Sequence, residues 1–453
     1  MTYAAESGDF DLAMGGDFMM TQRVSMYEEP DYLAIVEALR SADAAFVNLE
    51  TVVRQWDEGS PSITAGTPMT TLPHLLDEIA WMGINIVSSA NNHVYDYGEN
   101  GVRAMLRHLR AAGLAHAGCG HNLAEARMPA YVETPRGRLG LVAMTSTFRP
   151  WNAASPSRGD VQGRPGVNPL RHRTTYTVDA STFEALQKMN LELGFLKEQE
   201  RAKTHFYPDK EISRHTAEQA TVFGQTIVKG DRFDVSTAAD PADVEDNLRW
   251  IREARRQADW LLVSIHTHEF NARSMKREAR KVNLSELADF FPEMAHAAID
   301  AGADAVVGHG SHTALGIEIY KGRPIFHSLG GLLFQNETVP FVLSEAYDRF
   351  DLPPSATPAD LFDARTANET KGFPAYAGYW ECFVTVCRYR GGKLAGIEIL
   401  PTDLGFGKPR YQRGRAVQAR GEVADRILAR LQQLSEPFGT KIVNRNGVGF
   451  ISL

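Results

Sequence analysis

Five short apolar runs in this 453-residue sequence finish in side chains able to hold a divalent metal ion. Asp17 follows the run 11–14 and a pair of glycines. Glu50 follows 44–49, Asn92 and His93 follow 84–87, His266 and His268 follow 259–265, and His309 and His312 follow 305–307. Runs of this length and β-branched content read as buried strands. Strand ends of an α/β sheet lie along one edge, where such proteins place their ligands. Hard oxygen donors from Asp17, Glu50 and Asn92, mixed with imidazoles from His266, His309 and His312, suit Mn, Fe or Zn, whereas calcium takes oxygen alone. A carboxylate can bridge two such ions about 3.5 to 4 Å apart, and the pair generates hydroxide near neutral pH and stabilises a developing oxyanion. Taken singly the residues have plainer readings. Asn91 and Asn92 could only cap the helix that follows. Asp96 could do the same, or orient His93 as carboxylates orient metal-site imidazoles. Cys119, Cys382 and Cys387 lack a CxxC spacing, which fits neither a thiolate zinc site nor a disulfide framework.

The elements that must position these groups alternate. Helices are expected over 31–40, 72–82 and 101–112, the last stopped by Gly113, with strands between them. That is the pattern of a mostly parallel or mixed α/β sheet. Residues 131–133 and 138–144 read as a hairpin across Pro135, Arg136 and Gly137. Texture changes over 148–235, where 151–168 is rich in Pro, Gly, Ser and Arg and 181–225 reads as one long charged helical region. Such an insertion forms either a cap or access loop beside a site, or a solvated spacer. In its loop Arg149, Trp151, Arg158 and Arg164 could bind an acidic substrate or merely solvate the chain. Helices follow over 241–257 and 284–301, and hairpins over 315–327 and 381–400. Between them 337–379 reads as irregular, broken by Pro353, Pro354 and Pro358, and 424–434 is a last helix. The organisation expected is a core over 1–345 interrupted by 148–240, with 346–453 completing it.

A net charge of −8 excludes a nucleic-acid footprint. No stretch approaches the roughly 20 apolar residues of a membrane span. The first residues lack the basic and apolar regions of a signal peptide. With three unpaired cysteines, a reducing cytoplasm is the expected setting, and the substrate is expected to be a small molecule or peptide. Nothing in the composition reads out an oligomeric state.

The blocks GGDFMM, FVNLETVV, SSANNHVYDYG, LLVSIHTHEF and GADAVVGHGSHTALGIEIYKGRPIFHSLGGLLFQ, in this order, resemble the CapA family of poly-γ-glutamate and capsule-synthesis proteins, which is related in fold to the calcineurin-like metallophosphoesterases. The resemblance covers nearly all of 9–147 and 240–335. It implies a four-layer α/β/β/α sandwich of two mixed sheets with one or two divalent ions at the strand ends. It further implies that Glu50, Asn92, His266 and His309 hold one ion and Asp17, Glu50 and His312 the other, with His93 acting on the transition state or donating a proton. Two departures stand out. Met19 occupies a position where phosphoesterases carry a histidine ligand, leaving the second ion one donor short. Where many family members read His-Trp-Gly around the single His, this chain reads His266, Thr267, His268, Glu269, so that His268 supplies the missing ligand, transfers a proton, or only bonds within its loop. His327 and Ser328 are expected to be structural or to support the ligands from behind.

The reading that follows is a metal-dependent hydrolase in which metal-bound hydroxide attacks an amide, peptide or, less favoured, phosphoester centre; family context tilts the choice toward glutamyl bonds. An epimerase using Asp17 and a histidine as acid and base is the second reading. A non-catalytic accessory of polymer synthesis is the third.

Overall fold

In the computed structural model of the chain, which describes residues 8–62, 66–195, 197, 201, 204, 216–271 and 287–453, strand β1 (Phe10–Met19) runs through the glycine pair instead of ending before it. The reason is steric. Gly15 packs on Leu332, and a Cβ on Gly16 would overlap the Gly330 carbonyl oxygen, so here glycine marks a close backbone approach and not a turn. The register against the next strand shifts between Met14 and Asp17, as a bulge does when it re-aims a side chain. Helix α1 (Pro30–Arg40) starts with proline in its first turn, carries Asp31 there and Arg40 in its last turn, and buries Tyr32, Ile35, Val36 and Leu39 on one stripe. The alternation continues with β2 (Ala44–Leu49), α2 (Leu76–Trp81), β3 (Ile86–Ser88), α3 (Gly98–Ala111) and β4 (Ala115–Ala117). The hairpin β5 (Ala130–Thr134) and β6 (Gly137–Thr145) forms as expected. After it come α4 (Pro241–Arg255), β7 (Trp260–His266), α5 (Phe290–Asp300), β8 (Ala305–His309), the hairpin β9 (Ile317–Tyr320) and β10 (Arg323–Phe326), and β11 (Gly331–Phe334). The last elements are β12 (Glu381–Arg390), β13 (Lys393–Asp403), α6 (Gly421–Ser435), β14 (Val443–Arg445) and β15 (Val448–Ser452).

Two mixed sheets result. The first has the order β14, β15, β13, β12, β1, β2, β3, β4, with β11 also paired to β1; the second has β9, β10, β8, β7, β6, β5. Alternate residues sort the layers, as the pleat requires. Leu12, Met14, Phe46 and Ile86 of the first sheet meet Leu141, Leu262, Val307 and Phe326 of the second in a shared core. Ala13, Ala45 and Val47 face the other way, onto Ile35 and Leu39 of α1 and Val102 and Met105 of α3. Beyond the second sheet, α4 and α5 connect its strands and bury Ile251, Ala254, Met294 and Ala298. This is the α/β/β/α sandwich expected. Residues after 346 belong to it, because β12 and β13 lie inside the first sheet.

Arg171–Pro241 and Phe270–Glu293 form a second compact unit, while the residues up to Leu170 group with the sandwich. It holds a four-stranded sheet, 219–222, 225–229, 172–178 and 234–239 in spatial order. A helix, Ala180–Glu192, is capped by the Asp179 side chain on Thr182 N. Val178, Phe183, Ala220, Val222 and Ile227 make its core. The charged helix expected over 181–225 is therefore corrected: the helix closes after Glu192, and 219–222 is a strand. Most of 196–215, with His205 and His215, lies outside the described residues, as do the first residues of the helix expected from 284. Over 337–379 one more correction applies. Pro358 does not break structure but starts the helix Pro358–Thr366 behind a Thr357–Asp360 capping box. Among the described residues, no helix is long and apolar enough to cross a membrane.

Candidate metal centre

Strands β1, β2 and β3 run parallel in the first sheet, and β6, β7 and β8 run parallel in the second. Asp17 sits between Asn48 of β2 and Gly331 of β11 in the ladder. Its own N–H donates to the Gly330 carbonyl at 2.8 Å, the contact that excludes any side chain at Gly16. Glu50 is the first residue beyond β2, with its N–H on Phe18 O. His266 and His309 are direct cross-strand neighbours, and their Nδ1 atoms are 2.9 Å apart. His312 holds φ at 55°, a left-handed conformation that costs a non-glycine residue of order 1 kcal/mol and here aims its ring at Asp17.

The two carboxylates differ. Asp17 accepts from Asn48 Nδ2 at 2.9 Å and Gly310 N at 3.2 Å, and lies 2.8 Å from His312 Nδ1. Burial alone would raise its pKa, but the His312 bond and the surrounding imidazoles hold it well below the carboxylate range. Both oxygens of Glu50 are buried with no hydrogen-bond partner. Burial, then the charge of Asp17, push its pKa well up. Around it His266 Nε2 lies 3.7 Å away, His268 Nε2 3.8 Å, His93 Nε2 4.0 Å and His312 Nδ1 3.9 Å. Burial drives the His266 pKa well down, that of His309 to about 4 and that of His268 to about 3, so these rings are neutral at pH 7 and offer lone pairs. His266 Nε2 faces His268 Nε2 at 3.0 Å and Asn92 Oδ1 at 2.9 Å. A buried carboxylate without donors, among neutral imidazoles and an amide oxygen, is a donor set that fits a divalent cation.

The structure brings Asp17, Glu50, Asn92, His93, His266, His268, His309 and His312 together. It also decides two alternatives left open by the sequence. Helix α3 is entered through Tyr97 without a side-chain cap, so neither asparagine nor Asp96 caps it. Asn91 instead donates to Leu49 O and Asn48 Oδ1. Asp96 Oδ2 pairs with His93 Nδ1 at 2.7 Å and accepts from Met69 N at 2.8 Å, which turns His93 Nε2 toward Glu50. Grouped by ligand-atom proximity within 4.8 Å, the donors fall into Asp17, His266, His309 and Glu50, His268, His312. This differs from the sets the resemblance implies, because His309 Nδ1 faces Asp17 at 3.8 Å and its Nε2 bonds Ser264 Oγ. His327 packs on Phe438 and faces Glu318, and Ser328 bonds Ser311. In the loop after β6, Arg164 is held by the Ala153 carbonyl and Arg158 by Asp160.

Three contributors escaped the sequence reading. Asn48 touches both Asp17 and His266 Nδ1; an amide inside the apolar strand FVNLE was the signal for it. Glu269 accepts from Ser146, Thr147 and Thr267 hydroxyls, tying the loop after β7 to the end of β6. Phe373 stacks edge-on to His312 at 5.7 Å from a region read as irregular, and no local signal pointed to it.

A model of the family described as bacterial capsule synthesis protein PGA_cap matches residues 11–336. The uncharacterized protein y4sH of Sinorhizobium fredii (strain NBRC 101917 / NGR234) is 34% identical over 457 residues, covering 98% of this chain and 93% of that protein. The capsule biosynthesis protein CapA of Bacillus anthracis is 21% identical over 73% of this chain and 61% of its own length. The PGA biosynthesis protein CapA of Bacillus subtilis (strain 168) is 36% identical, over 21% of this chain and 22% of its own length. The family match spans most of the sequence and includes every strand end that carries a metal-capable residue: the chain belongs to the bacterial capsule synthesis protein family, PGA_cap.

Proposed function

We propose that this protein is a metal-dependent hydrolase of amide or peptide bonds, with glutamyl substrates preferred to phosphoesters. One observation carries the reading: Glu50, buried and without a hydrogen bond, is ringed by four imidazoles within 4.0 Å. Divalent ions held by Asp17, Glu50, Asn92 and the imidazoles would acidify a water and stabilise negative charge on the attacked group. The chain's own part is orientation and proton transfer. Asp96 fixes the His93 ring through Nδ1, leaving Nε2 to hand a proton to the departing group. Asn48 and Gly310 hold Asp17 in place. Those bonds weigh against epimerisation, which needs Asp17 as a free base, since a carboxylate stabilised by donors loses basicity. The preference for glutamyl bonds rests on relatives named for PGA and capsule biosynthesis.

The test is a panel of γ-glutamyl peptides and phosphoesters, assayed beside metal analysis by mass spectrometry. We expect metal-dependent cleavage of a γ-glutamyl bond, abolished together with metal content in His309→Ala. Hydrolysis and metal content both unchanged in that variant would overturn the reading. Solvent deuterium entering the α position of uncleaved peptide would restore the epimerase.

A further inference from the structure

We propose that His268 is a metal ligand, and that with Glu50 and His312 it holds an outer, solvent-facing ion distinct from an inner one held by Asp17, His266 and His309. The assignment rests on the metal-dependent reading above and goes beyond it in naming the donor and the inequality of the two positions.

Distance comes first. Two donors bound to one ion at about 2.1 Å can be no more than roughly 4.2 Å apart. His268 Nε2 is 3.8 Å from Glu50 Oε1, and His312 Nδ1 is 3.9 Å from Glu50 Oε2. The His268 and His312 rings stand 5.3 Å apart and nearly perpendicular, and one ligand atom from each of Glu50, His268 and His312 lies within 4.8 Å of the other two. The plainer alternative is a hydrogen bond between His268 Nε2 and His266 Nε2 at 3.0 Å. That bond would leave Glu50 without a partner on either oxygen, the condition a second cation relieves.

The backbone that carries the ring is placed independently of that contact. The His268 N–H donates to Thr147 Oγ1 at 2.8 Å. Its neighbour Glu269 is held by hydroxyls from Ser146, Thr147 and Thr267. Backbone and loop are therefore organised from β6 and β7 before any ligand arrives, as a rigid support for a donor should be. Exposure separates the positions. Asp17, His266 and His309 are fully enclosed, whereas the His268 side chain is 32% exposed and that of His312 10%. An ion at the outer position would face solvent and would therefore exchange faster than the inner one.

The experiment uses the full chain, loaded with Mn or Zn and dialysed, with metal counted per chain for wild type, His268→Gln and His268→Ala. Glutamine preserves length and hydrogen bonding to His266 while removing the imidazole donor. We expect both variants to hold about one ion fewer than wild type and brief chelation of wild type to remove one ion well before the other. Thermal unfolding of the metal-free proteins checks that the variants fold, and the visible spectrum of the cobalt-loaded forms reports whether an imidazole has left the coordination sphere. Unchanged metal content and cobalt spectrum in His268→Gln would overturn the assignment while leaving the hydrolase reading intact. Wild type that takes up no metal would overturn both.

Discussion

Asp96 shows how much of this site lies one contact away from the chemistry. Its carboxylate belongs to neither candidate donor group, yet it fixes His93 Nδ1 at 2.7 Å. Replacing Asp96 with Asn keeps size and removes charge, and loss of such an orienting partner costs about 10–100-fold in activity. Turnover by Asp96→Asn should fall by that factor while metal content, counted in the same samples, stays at the wild-type level; loss of metal instead would make Asp96 part of the binding set. Gly16 is a residue of the opposite kind, where absence of a side chain is the function. Gly16→Ala would drive a Cβ into backbone at Gly330, which no rotamer relieves, so a stability loss of about 3 kcal/mol, the upper end of the usual overpacking cost, is expected, read from urea unfolding. The glycine pair was visible in the sequence, but as a strand end. What it does depends on Gly330, more than 300 residues downstream, and no local pattern carries that distance. Asp17, Glu50 and the histidines were legible because polar groups at the ends of apolar runs are local facts.

Elements were legible in proportion to their apolar content. Helix α1 announces itself by Pro30 and a four-residue buried stripe. The strand 219–222, QATV, exposes or half-exposes every other side chain, so charge density around it outweighed its short alternation. The loop between β1 and α1 shows how one element is pinned to another. Glu78 of α2 accepts from Val24 N at 3.0 Å, Ser25 N at 2.7 Å, Ser25 Oγ at 3.0 Å and Arg23 Nε at 2.9 Å. Burial opposes ionisation, but the Ser25 and Val24 amides and their neighbours outweigh it and lower the Glu78 pKa. A folded pKa below the unfolded value of about 4.3 contributes stability above that pH and loses it as pH falls through the folded value. Glu78→Gln should therefore cost roughly 1.5–3 kcal/mol at pH 7 and progressively less below about pH 4.3. Urea midpoints measured against pH for both proteins check it, and a gap that does not narrow in acid would mean the carboxylate acts by shape alone.

At the scale of the whole sandwich, the centre joins two sheets whose shared core is apolar. Asp17 and Glu50 come from the first sheet, His266 and His309 from the second. Ions shared between them would act as a cross-link available only to the folded chain. A ligand that binds only the folded state stabilises it by about 2.7 kcal/mol at a hundred times its Kd. Chelation should lower the unfolding midpoint accordingly and raise hydrogen exchange at Gly310 N, whose partner is Asp17 Oδ2, before it affects the hairpin β12–β13. Glu50 adds a signature of its own. In the metal-free protein, burial and the charge of Asp17 push its pKa well up, so protons compete with a cation for its oxygens. Metal uptake at pH 7 should release protons, seen as a calorimetric heat that changes with the ionisation enthalpy of the buffer. Affinity should weaken as pH falls, because protons then compete for the same oxygens and for the imidazoles. A heat independent of buffer would mean Glu50 is already ionised without the metal.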